Sequence, residues 1–314
     1  MEQRSRGAAE MTAAMMISGT IGLFVVLSGQ PVFNVVFWRC AIGAATLALI
    51  CAAMGLFRAG VIGRRQIGLA ALGGVAIVVN WIFLFAAYPR ASISIATAVY
   101  NTQPFMLVAM GTIFLKERPT SAALGWLGAA FLGMLAIVQG RQTGRAGSDY
   151  LTGIGFALAA AFCYAVAAIV AKRLKGVSPH LIALIQLAVG ILMLAPLADF
   201  GGLPADMRSW ALLATLGIVH TGVMYILLYG AIQKLPTSLT GALSFIYPIV
   251  AILVDFVAFG TRLGPLQLAG AGLILLAAAG STLGWSPQPR SRRRAATAAA
   301  KASSAAASMT SRKA

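Results

Sequence analysis

Charge is what this sequence has least of: only 10% of its 314 residues are Asp, Glu, Lys or Arg, whereas 60% are hydrophobic. A water-soluble domain carries about 25% charged residues. Apolar runs of about twenty residues, the length that an α-helix needs to cross a bilayer, recur along almost the whole chain. The composition therefore excludes a soluble globular protein and predicts an all-α polytopic membrane protein.

Acidic residues and cysteines are also scarce. Of seven acids, only Asp255 falls inside an apolar span, near its outer third. Proton- or sodium-coupled carriers usually rely on intramembrane carboxylates, so the sequence leaves uncoupled exchange or facilitated export open beside coupled transport. Cys40, Cys51 and Cys163 lie in apolar segments without metal-ligand spacing. We therefore expect no disulfide framework, no metal and no other cofactor.

The net charge of +17 comes in part from the C-terminal tail. Seven of the 24 Lys and Arg follow Pro289, in a low-complexity segment with almost no large apolar residue. We expect residues 285–314 to form a disordered cytoplasmic tail, which either contacts anionic lipid headgroups or holds the membrane topology. This placement argues against a nucleic-acid partner.

Ten apolar windows bounded by glycine, proline and charge predict ten transmembrane helices. They cover residues 11–29, 32–55, 67–88, 92–115, 121–139, 153–172, 180–198, 210–232, 237–259 and 265–284. With residues 1–10 in the cytoplasm, the inward segments hold eleven Lys and Arg before the tail, and the outward loops hold five. The positive-inside rule thus predicts two cytoplasmic termini in a bacterial-type inner (plasma) membrane.

The sequence contains an internal repeat at an offset of 144 residues. Residues 69–132 align with residues 213–276 without a gap, and 16 of the 64 positions are identical. Residues 11–139 and 153–284 then form two five-helix repeats, joined by a periplasmic linker at residues 140–152. Because five is odd, the second repeat is inverted in the membrane. Inverted repeats around a central cavity are typical of secondary transporters that work by alternating access.

Polar side chains and prolines interrupt the fourth and ninth spans at matching positions. Both prolines leave a backbone carbonyl without its helical donor, so each predicts a kink and a hinge, unless a neighbouring side chain simply heals the break. The polar residues follow helical steps of three and four, which favours a substrate-lining face. In the fourth span the stripe is Ser94, Thr97, Asn101 and Pro104, with Tyr100 beside it; in the ninth it is Thr237, Thr240, Ser244 and Tyr247, ending next to Pro248.

Aromatic pairs occupy equivalent positions in the third and eighth spans: Trp81 and Phe85 align with Tyr225 and Tyr229. We expect Trp81, Phe85 and Tyr225 to line the substrate pathway. For Tyr229, near a helix end, the interfacial aromatic belt is the favoured interpretation. Tyr164 lies mid-span and is a further candidate for the cavity.

Several polar residues within spans carry less specific predictions. Asn80 and Gln186 are expected to bridge helices. His220 is either a hydrogen-bonded packing residue or a proton carrier. Arg39, near the outer end of the second span, is expected to snorkel or to form a structural pair. Asp255 and His220 remain candidates for coupling.

The stretch "AAYPRASISIATAVYNTQPFMLVAMGTIFLKERPT", residues 86–120, resembles the EamA-type domain of the drug/metabolite transporter superfamily in its two-domain, ten-helix form. This resemblance implies a cavity lined chiefly by spans one, three, four, six, eight and nine, and export of small metabolites such as amino acids. One departure is Thr261, which stands where the first repeat has Glu117. Glu117 is therefore interpreted as a structural cap or inner gate residue close to Lys116 and Arg118.

These patterns together predict a secondary transporter that exports a small metabolite, an amino acid or related zwitterion, as a monomer or homodimer in the bilayer. Exchange of nucleotide sugars or other metabolites is an alternative, but it calls for cations in the cavity and only Arg39 lies within a span. An intramembrane enzyme is a distant alternative, for which His220 and Ser244 are the only available pair.

Overall fold

The computed structural model describes residues 2–58, 60–91, 96, 99–139, 150–204, 206–259 and 264–285, and within these residues the regular secondary structure is entirely helical. A π-helical segment, Ile218–Val223, joins α8 to α9 in one continuous span, and Phe245 alone separates α10 from α11. The helices are α1 Glu2–Ser28, α2 Val32–Ala53, α3 Arg64–Ala91, α4 Gln103–Leu115, α5 Ser121–Gln139, α6 Tyr150–Arg173, α7 Pro179–Leu194, α8 Met207–Gly217, α9 Met224–Lys234, α10 Thr237–Ser244, α11 Ile246–Phe259 and α12 Pro265–Leu283.

The ten predicted spans correspond to these helices. Five segments of the described chain are long and apolar enough to cross a membrane, and shorter apolar helices occupy the other five spans. The first helix begins at Glu2, well before the predicted start at residue 11. The polar first turns of this helix are stabilised by two contacts: Arg4 donates to the backbone carbonyl of Ser281 in α12, and Glu10 pairs with Lys234 in α9.

Helix pairing in the bundle follows the internal repeat. The offset of 144 relates α3 to the α8–α9 span, and α4 to α11. Accordingly, α3 packs along α6 as α9 packs along α1, and α4 packs on α6 as α11 packs on α1. The pairs α2 with α7 and α5 with α12 are each mapped onto themselves, and α4 also packs on α10. The fold is thus an all-α polytopic bundle of two inverted five-helix repeats, as predicted.

Small residues let the helices approach closely, as is common in membrane bundles. A β-carbon placed on Gly133 of α5 would lie 2.7 Å from the carbonyl oxygen of Gly270 in α12. The outward surface is apolar instead: Leu151 is 80% exposed, Leu192 77% and Val257 81%. A surface covered with such large apolar side chains is suited to contact with lipid and not with water.

Several sequence predictions fall outside the described residues. These are the linker at residues 140–149, the tail at residues 286–314, Thr261, Ser94 and Thr97, together with the side chain of Asp255. The domain boundaries and the roles assigned to these residues stay predictions.

Candidate substrate site

Two of the predicted pathway aromatics meet in the middle of the bundle. The rings of Trp81 in α3 and Tyr225 in α9 pack edge to face, with 6.0 Å between their centroids. Both side chains are buried, at 6% and 5% exposure. The inverted repeat explains this meeting, because equivalent positions on α3 and α9 face the same axis. Their role in lining a pathway remains a prediction.

Tyr229 extends this cluster and corrects one expectation. It is 2% exposed, its ring lies 5.2 Å from that of Tyr225, and its hydroxyl donates to Oε1 of Gln186. Tyr229 is therefore a buried residue that bonds α9 to α7, and not part of an interfacial belt. The sequence contained the relevant signal, since Tyr229 aligns with Phe85 and lies one helical turn beyond Tyr225.

A second group of polar and aromatic residues joins α3, α6 and the turn before α4. Nδ2 of Asn80 donates to the hydroxyl of Tyr100 at 3.3 Å and to the carbonyl of Ala160 at 2.7 Å. The rings of Tyr100 and Tyr164 lie 6.3 Å apart. Asn101 beside them is buried, and Phe85 is half-buried against the main core. Asn80 thus bridges helices as predicted.

The space between the two groups is small. Tyr164, Tyr225 and Tyr229, with Ile77 and Leu228, border a space that is too narrow to admit a water molecule. Aromatic side chains thus border this space among the described residues, and their place in a substrate pathway stays a prediction.

Arg39 of α2 lies against this cluster. It is 1% exposed, and its guanidinium carbon lies 4.3 Å from the centroid of the Trp81 ring. Nε donates to Oγ1 of Thr221 at 3.1 Å, whereas Nη2 has no hydrogen-bond partner among the described residues. The expectation that Arg39 snorkels to the membrane surface is wrong, because the guanidinium is enclosed by α2, α3 and the π-helical segment.

The π-helical segment positions Thr221 for this contact. Its hydroxyl donates to the carbonyl of Leu216 at 2.8 Å, five residues back. The widened turn is accommodated where α8 crosses α2, because a β-carbon at Gly43 would lie 3.0 Å from Cγ2 of Thr221. Single π-helical turns in α-helices occur frequently at functional sites.

His220 packs between α1 and the α8–α9 span. Its Nε2 lies 2.7 Å from Oγ1 of Thr20, its Nδ1 lies 3.3 Å from the carbonyl oxygen of Thr215, and the Phe24 ring is 4.7 Å away. These contacts fit the packing interpretation. No group of three His, Cys, Asp or Glu residues converges as a metal site within the described ranges.

The two proline-bearing spans are broken at equivalent points. In the fourth span, α4 begins at Gln103 after a turn at Asn101 and Thr102. In the ninth span, the helix is interrupted at Phe245, the residue equivalent to Asn101. Each break lies within one turn before its proline, Pro104 or Pro248, which cannot donate a helical hydrogen bond. The structure thus interrupts both helices beside the prolines; the kinks and the service of the prolines as hinges stay predictions.

Two hydroxyls of the ninth span, those of Thr240 and Ser244, donate to the backbone of their own helix. Thr240 donates to the carbonyl of Pro236 at 3.1 Å, and Ser244 donates to that of Gly241 at 2.7 Å. Both residues are buried. A substrate would compete with these internal bonds, so the aromatic cluster offers the freer contact surface in this conformation.

Glu117 forms a clamp at one end of the bundle, named here the Glu117 end. Oε1 lies 2.7 Å from Nζ of Lys172, and Oε2 accepts from the backbone N and the hydroxyl of Thr237, at 2.9 and 2.7 Å. The carboxylate therefore ties the end of α4 to α6 and to the first turn of α10. These partners replace Lys116 and Arg118, which the sequence suggested as its neighbours.

The backbone just after α4 directs Glu117 across the bundle. Lys116 adopts a left-handed conformation with φ of 56°, which ends the helix and reverses the chain. Partial burial disfavours the charged carboxylate, but hydrogen bonds from Lys172 and Thr237 outweigh this effect and lower the pKa of Glu117. The group is thus ionised at neutral pH.

Further contacts join neighbouring elements at both ends of the bundle. At the Glu117 end, Lys172 also donates to the carbonyl of Leu235, and Lys234 pairs with Glu10. At the opposite end, Asn34 makes two hydrogen bonds with the backbone of Asp199, at 2.8 and 3.0 Å. These bonds hold α2 to the turn after α7.

Two inverted repeats with interrupted helices where they cross are typical of secondary membrane transporters. The chain belongs to the EamA-like transporter family, which matches residues 6–139 and 151–283.

Individual relatives agree with this assignment. The chain is 30% identical over 285 residues to the uncharacterized transporter YxxF of Bacillus subtilis, covering 88% of this chain and 90% of the relative. It is 27% identical to the threonine/homoserine exporter RhtA of Escherichia coli K12, covering 68% of each chain. It is 28% identical to the pseudopaline exporter CntI of Pseudomonas aeruginosa UCBPP-PA14, covering 60% of this chain and 64% of the exporter.

A solved crystal structure shares the fold. It superposes with a TM-score of 0.77 at 21% identity, over 89% of this chain and 97% of the other. At this identity, the likeness concerns the arrangement of helices alone.

Proposed function

We propose that this protein is a secondary transporter that exports amino acids or related zwitterions across the inner membrane by alternating access. The observation that carries the proposal is the crossing of two symmetry-related broken helices, α4 with the α10–α11 span, beside a buried aromatic and polar centre. Inverted-repeat carriers bind substrate at such a place. The relatives RhtA and CntI, named as exporters of an amino acid and of pseudopaline, support export of small metabolites.

In this proposal the Glu117 end faces the cytoplasm. The Lys and Arg residues near it, Lys172, Arg173, Lys175 and Lys234, agree with the positive-inside rule. Both chain termini then lie in the cytoplasm.

Glu117 is the inner gate residue in this scheme. Its bonds to Lys172 and Thr237 join α4, α6 and α10, and the pair of Glu10 with Lys234 joins α1 to α9. The five joined spans include those of Tyr164 and Tyr225, so their separation at this end would admit cytoplasmic substrate. Pro104 and Pro248 act as the hinges for that movement, because the helices are already broken beside them.

The coupling mode is proposed to be exchange or facilitated export. Asp255 is the only acid within a predicted span, and His220 is engaged with Thr20 and Thr215. The partners are a small-molecule substrate and the lipid bilayer, without nucleic acid, and the protein acts as a monomer or homodimer.

Catalysis is not part of the proposal. The enzymatic alternative needs His220 as a base for Ser244, but the hydroxyl of Ser244 donates to Gly241 and His220 contacts Thr20 and Thr215. Nucleotide-sugar exchange lacks a favouring observation, since such polyanions call for several cations at the site.

Counterflow in reconstituted vesicles tests the function. Vesicles are loaded with an unlabelled amino acid, and uptake of the same labelled amino acid is compared with uptake by empty vesicles. The measurement is repeated for a panel of amino acids, with and without a pH gradient. Uptake above the control supports amino-acid transport, and independence from the gradient supports uncoupled exchange. The absence of counterflow for every amino acid would refute the proposed substrate class.

A further inference from the structure

Arg39 is a buried cation without a protein counter-ion among the described residues. At 1% exposure its guanidinium is removed from solvent, and a buried charge is costly unless it is paired. Glu2 is exposed in the first turn of α1, Glu117 and Glu10 are engaged by lysines at the Glu117 end, and Asp199 and Asp206 lie in the turn between α7 and α8. The side chains described here therefore leave the positive charge of Arg39 without a carboxylate.

The guanidinium is nevertheless held in a fixed orientation. Its Nε donates to Thr221, which the π-helical turn brings towards α2, and its carbon lies over the ring of Trp81. These two contacts leave Nη2 as an unsatisfied donor. A planar guanidinium fixed in this way is suited to bind a carboxylate through two parallel hydrogen bonds.

The surroundings of Arg39 connect it to the candidate substrate site. The guanidinium lies over the ring of Trp81, and Trp81 packs against Tyr225. Tyr225 in turn borders the small central space together with Tyr164. A ligand whose carboxylate reaches Arg39 would therefore place its remaining atoms beside these aromatic rings. A single guanidinium balances a single negative charge, so the arrangement fits a monocarboxylate better than a phosphorylated compound.

We propose that Arg39 is the carboxylate-binding residue of the transporter, and that Trp81 and Tyr225 contact the rest of the same ligand. This inference rests on the proposed function and narrows it: the exported compounds carry a carboxylate, and their amides or decarboxylated amines are poor ligands. Thr221 is a positioning residue, which orients the guanidinium without touching the ligand.

Ligand-induced thermal stabilisation of the purified full-length protein in lipid nanodiscs tests the inference. The probes are the twenty proteinogenic L-amino acids and the amide of each one that binds. We expect acids to raise the melting temperature and their amides to have little effect. In Arg39→Gln the affinity for the acid should fall by about 10- to 100-fold, as expected for a lost hydrogen bond between charged groups. Arg39→Lys, which keeps the charge but not the planar fork, should give an intermediate loss.

The matched control is Arg90→Gln. Arg90 also lies over an aromatic ring, that of Phe156 at 5.1 Å, and donates to a backbone carbonyl, but it is near the end of α3. Its replacement should leave amino-acid affinity unchanged. If Arg39→Gln does not purify as a folded protein, the acid-to-amide discrimination of the wild type and the affinity of Arg39→Lys decide the question.

Failure of the inference and failure of the proposed function give different results. Equal binding of acid and amide by the wild type, or unchanged affinity in Arg39→Gln, overturns the role of Arg39 while amino-acid transport stands. If no amino acid binds, the proposed substrate class fails, and propionate, lactate and succinate are compared with their amides. Carboxylate binding that is lost in Arg39→Gln then supports the inference, and no carboxylate binding overturns it.

Discussion

Gly241 of α10 lies directly against Pro104 of α4. A β-carbon on Gly241 would be 3.0 Å from Cβ of Pro104 and 3.4 Å from Cδ1 of Leu127. The two broken helices therefore touch backbone to side chain, close to the interruption in each. Contact at this distance couples the two repeats, because neither helix can change its angle there without moving the other.

The first prediction concerns this contact. Gly241→Val should force α4 and α10 apart, lower the stability by about 1 to 3 kcal/mol and strongly reduce transport, as overpacking does in tightly packed interiors. Thermal unfolding in detergent and counterflow in vesicles measure the two effects. The matched control is Gly128→Val, since a β-carbon at Gly128 meets no atom within 4 Å. Equal behaviour of the two variants would show that the crossing tolerates separation.

The second prediction concerns the Glu117 clamp. Glu117→Gln should lower the stability by about 1 to 2 kcal/mol, a value between those of exposed and buried ion pairs. It should also increase the accessibility of the Glu117 end to a water-soluble thiol reagent, measured on a cysteine introduced near Thr237. In a double-mutant cycle with Lys172→Met, the losses of stability in the two single variants should not add, because both substitutions remove the same interaction.

The pH dependence of the clamp follows from the lowered pKa of Glu117. Because the folded-state pKa lies below the ordinary value of about 4.3, the clamp stabilises the protein fully above that value. The stabilisation is lost as the pH falls through the lowered pKa. The difference in melting temperature between wild type and Glu117→Gln should therefore be constant above about pH 5 and shrink below about pH 4. A difference that persists unchanged at the lowest pH would contradict the assignment.

The third prediction concerns the aromatic centre. Trp81→Ala, Tyr225→Ala and Tyr100→Ala should each reduce transport, with KM raised by up to about tenfold for loss of one aromatic contact. Membrane insertion and expression should remain intact. Trp126→Ala provides the control, because Trp126 bonds to Trp285 between α5 and α12, away from the centre. Normal transport by all three variants would remove these residues from the pathway.

The fourth prediction concerns the break before Pro104. Pro104→Ala restores a backbone donor for the carbonyl of Tyr100 and should stabilise a continuous helix by about 1 kcal/mol. The transport rate should fall while substrate affinity stays unchanged, because the change acts on movement and not on binding. Pro179→Ala is the matched control, since Pro179 is the first residue of α7 and no helical bond is missing there. An unchanged rate in Pro104→Ala would refute the hinge.

Much of the architecture could be predicted because the membrane restricts the alternatives. Apolar runs of sufficient length must be helices, since only helices and closed barrels satisfy the backbone in lipid. The offset of 144 residues, with an odd number of helices in each repeat, gave the inverted arrangement. Prolines at equivalent positions predicted the breaks at Asn101 and Phe245.

Side-chain partners were less predictable. The sequence placed Glu117 beside Lys116 and Arg118, whereas its carboxylate bonds to Lys172 and Thr237 after the left-handed residue Lys116 has ended α4. Tyr229 was assigned to an interface because hydropathy reports position along a span and not the face that is buried. The hydrogen bond to Gln186 of the neighbouring helix α7 shows which face of Tyr229 is buried.

The sequence alone therefore determined that the protein lies in a membrane, how many spans it has and how its two halves are related. These properties depend on hydrophobicity and on the repeat along one chain. Only the tertiary structure decided what Arg39 does. A cation in the second span would snorkel if it faced lipid, and it is enclosed because α3 and the π-helical turn at Thr221 pack over it. Contacts between helices that are distant in sequence create that environment.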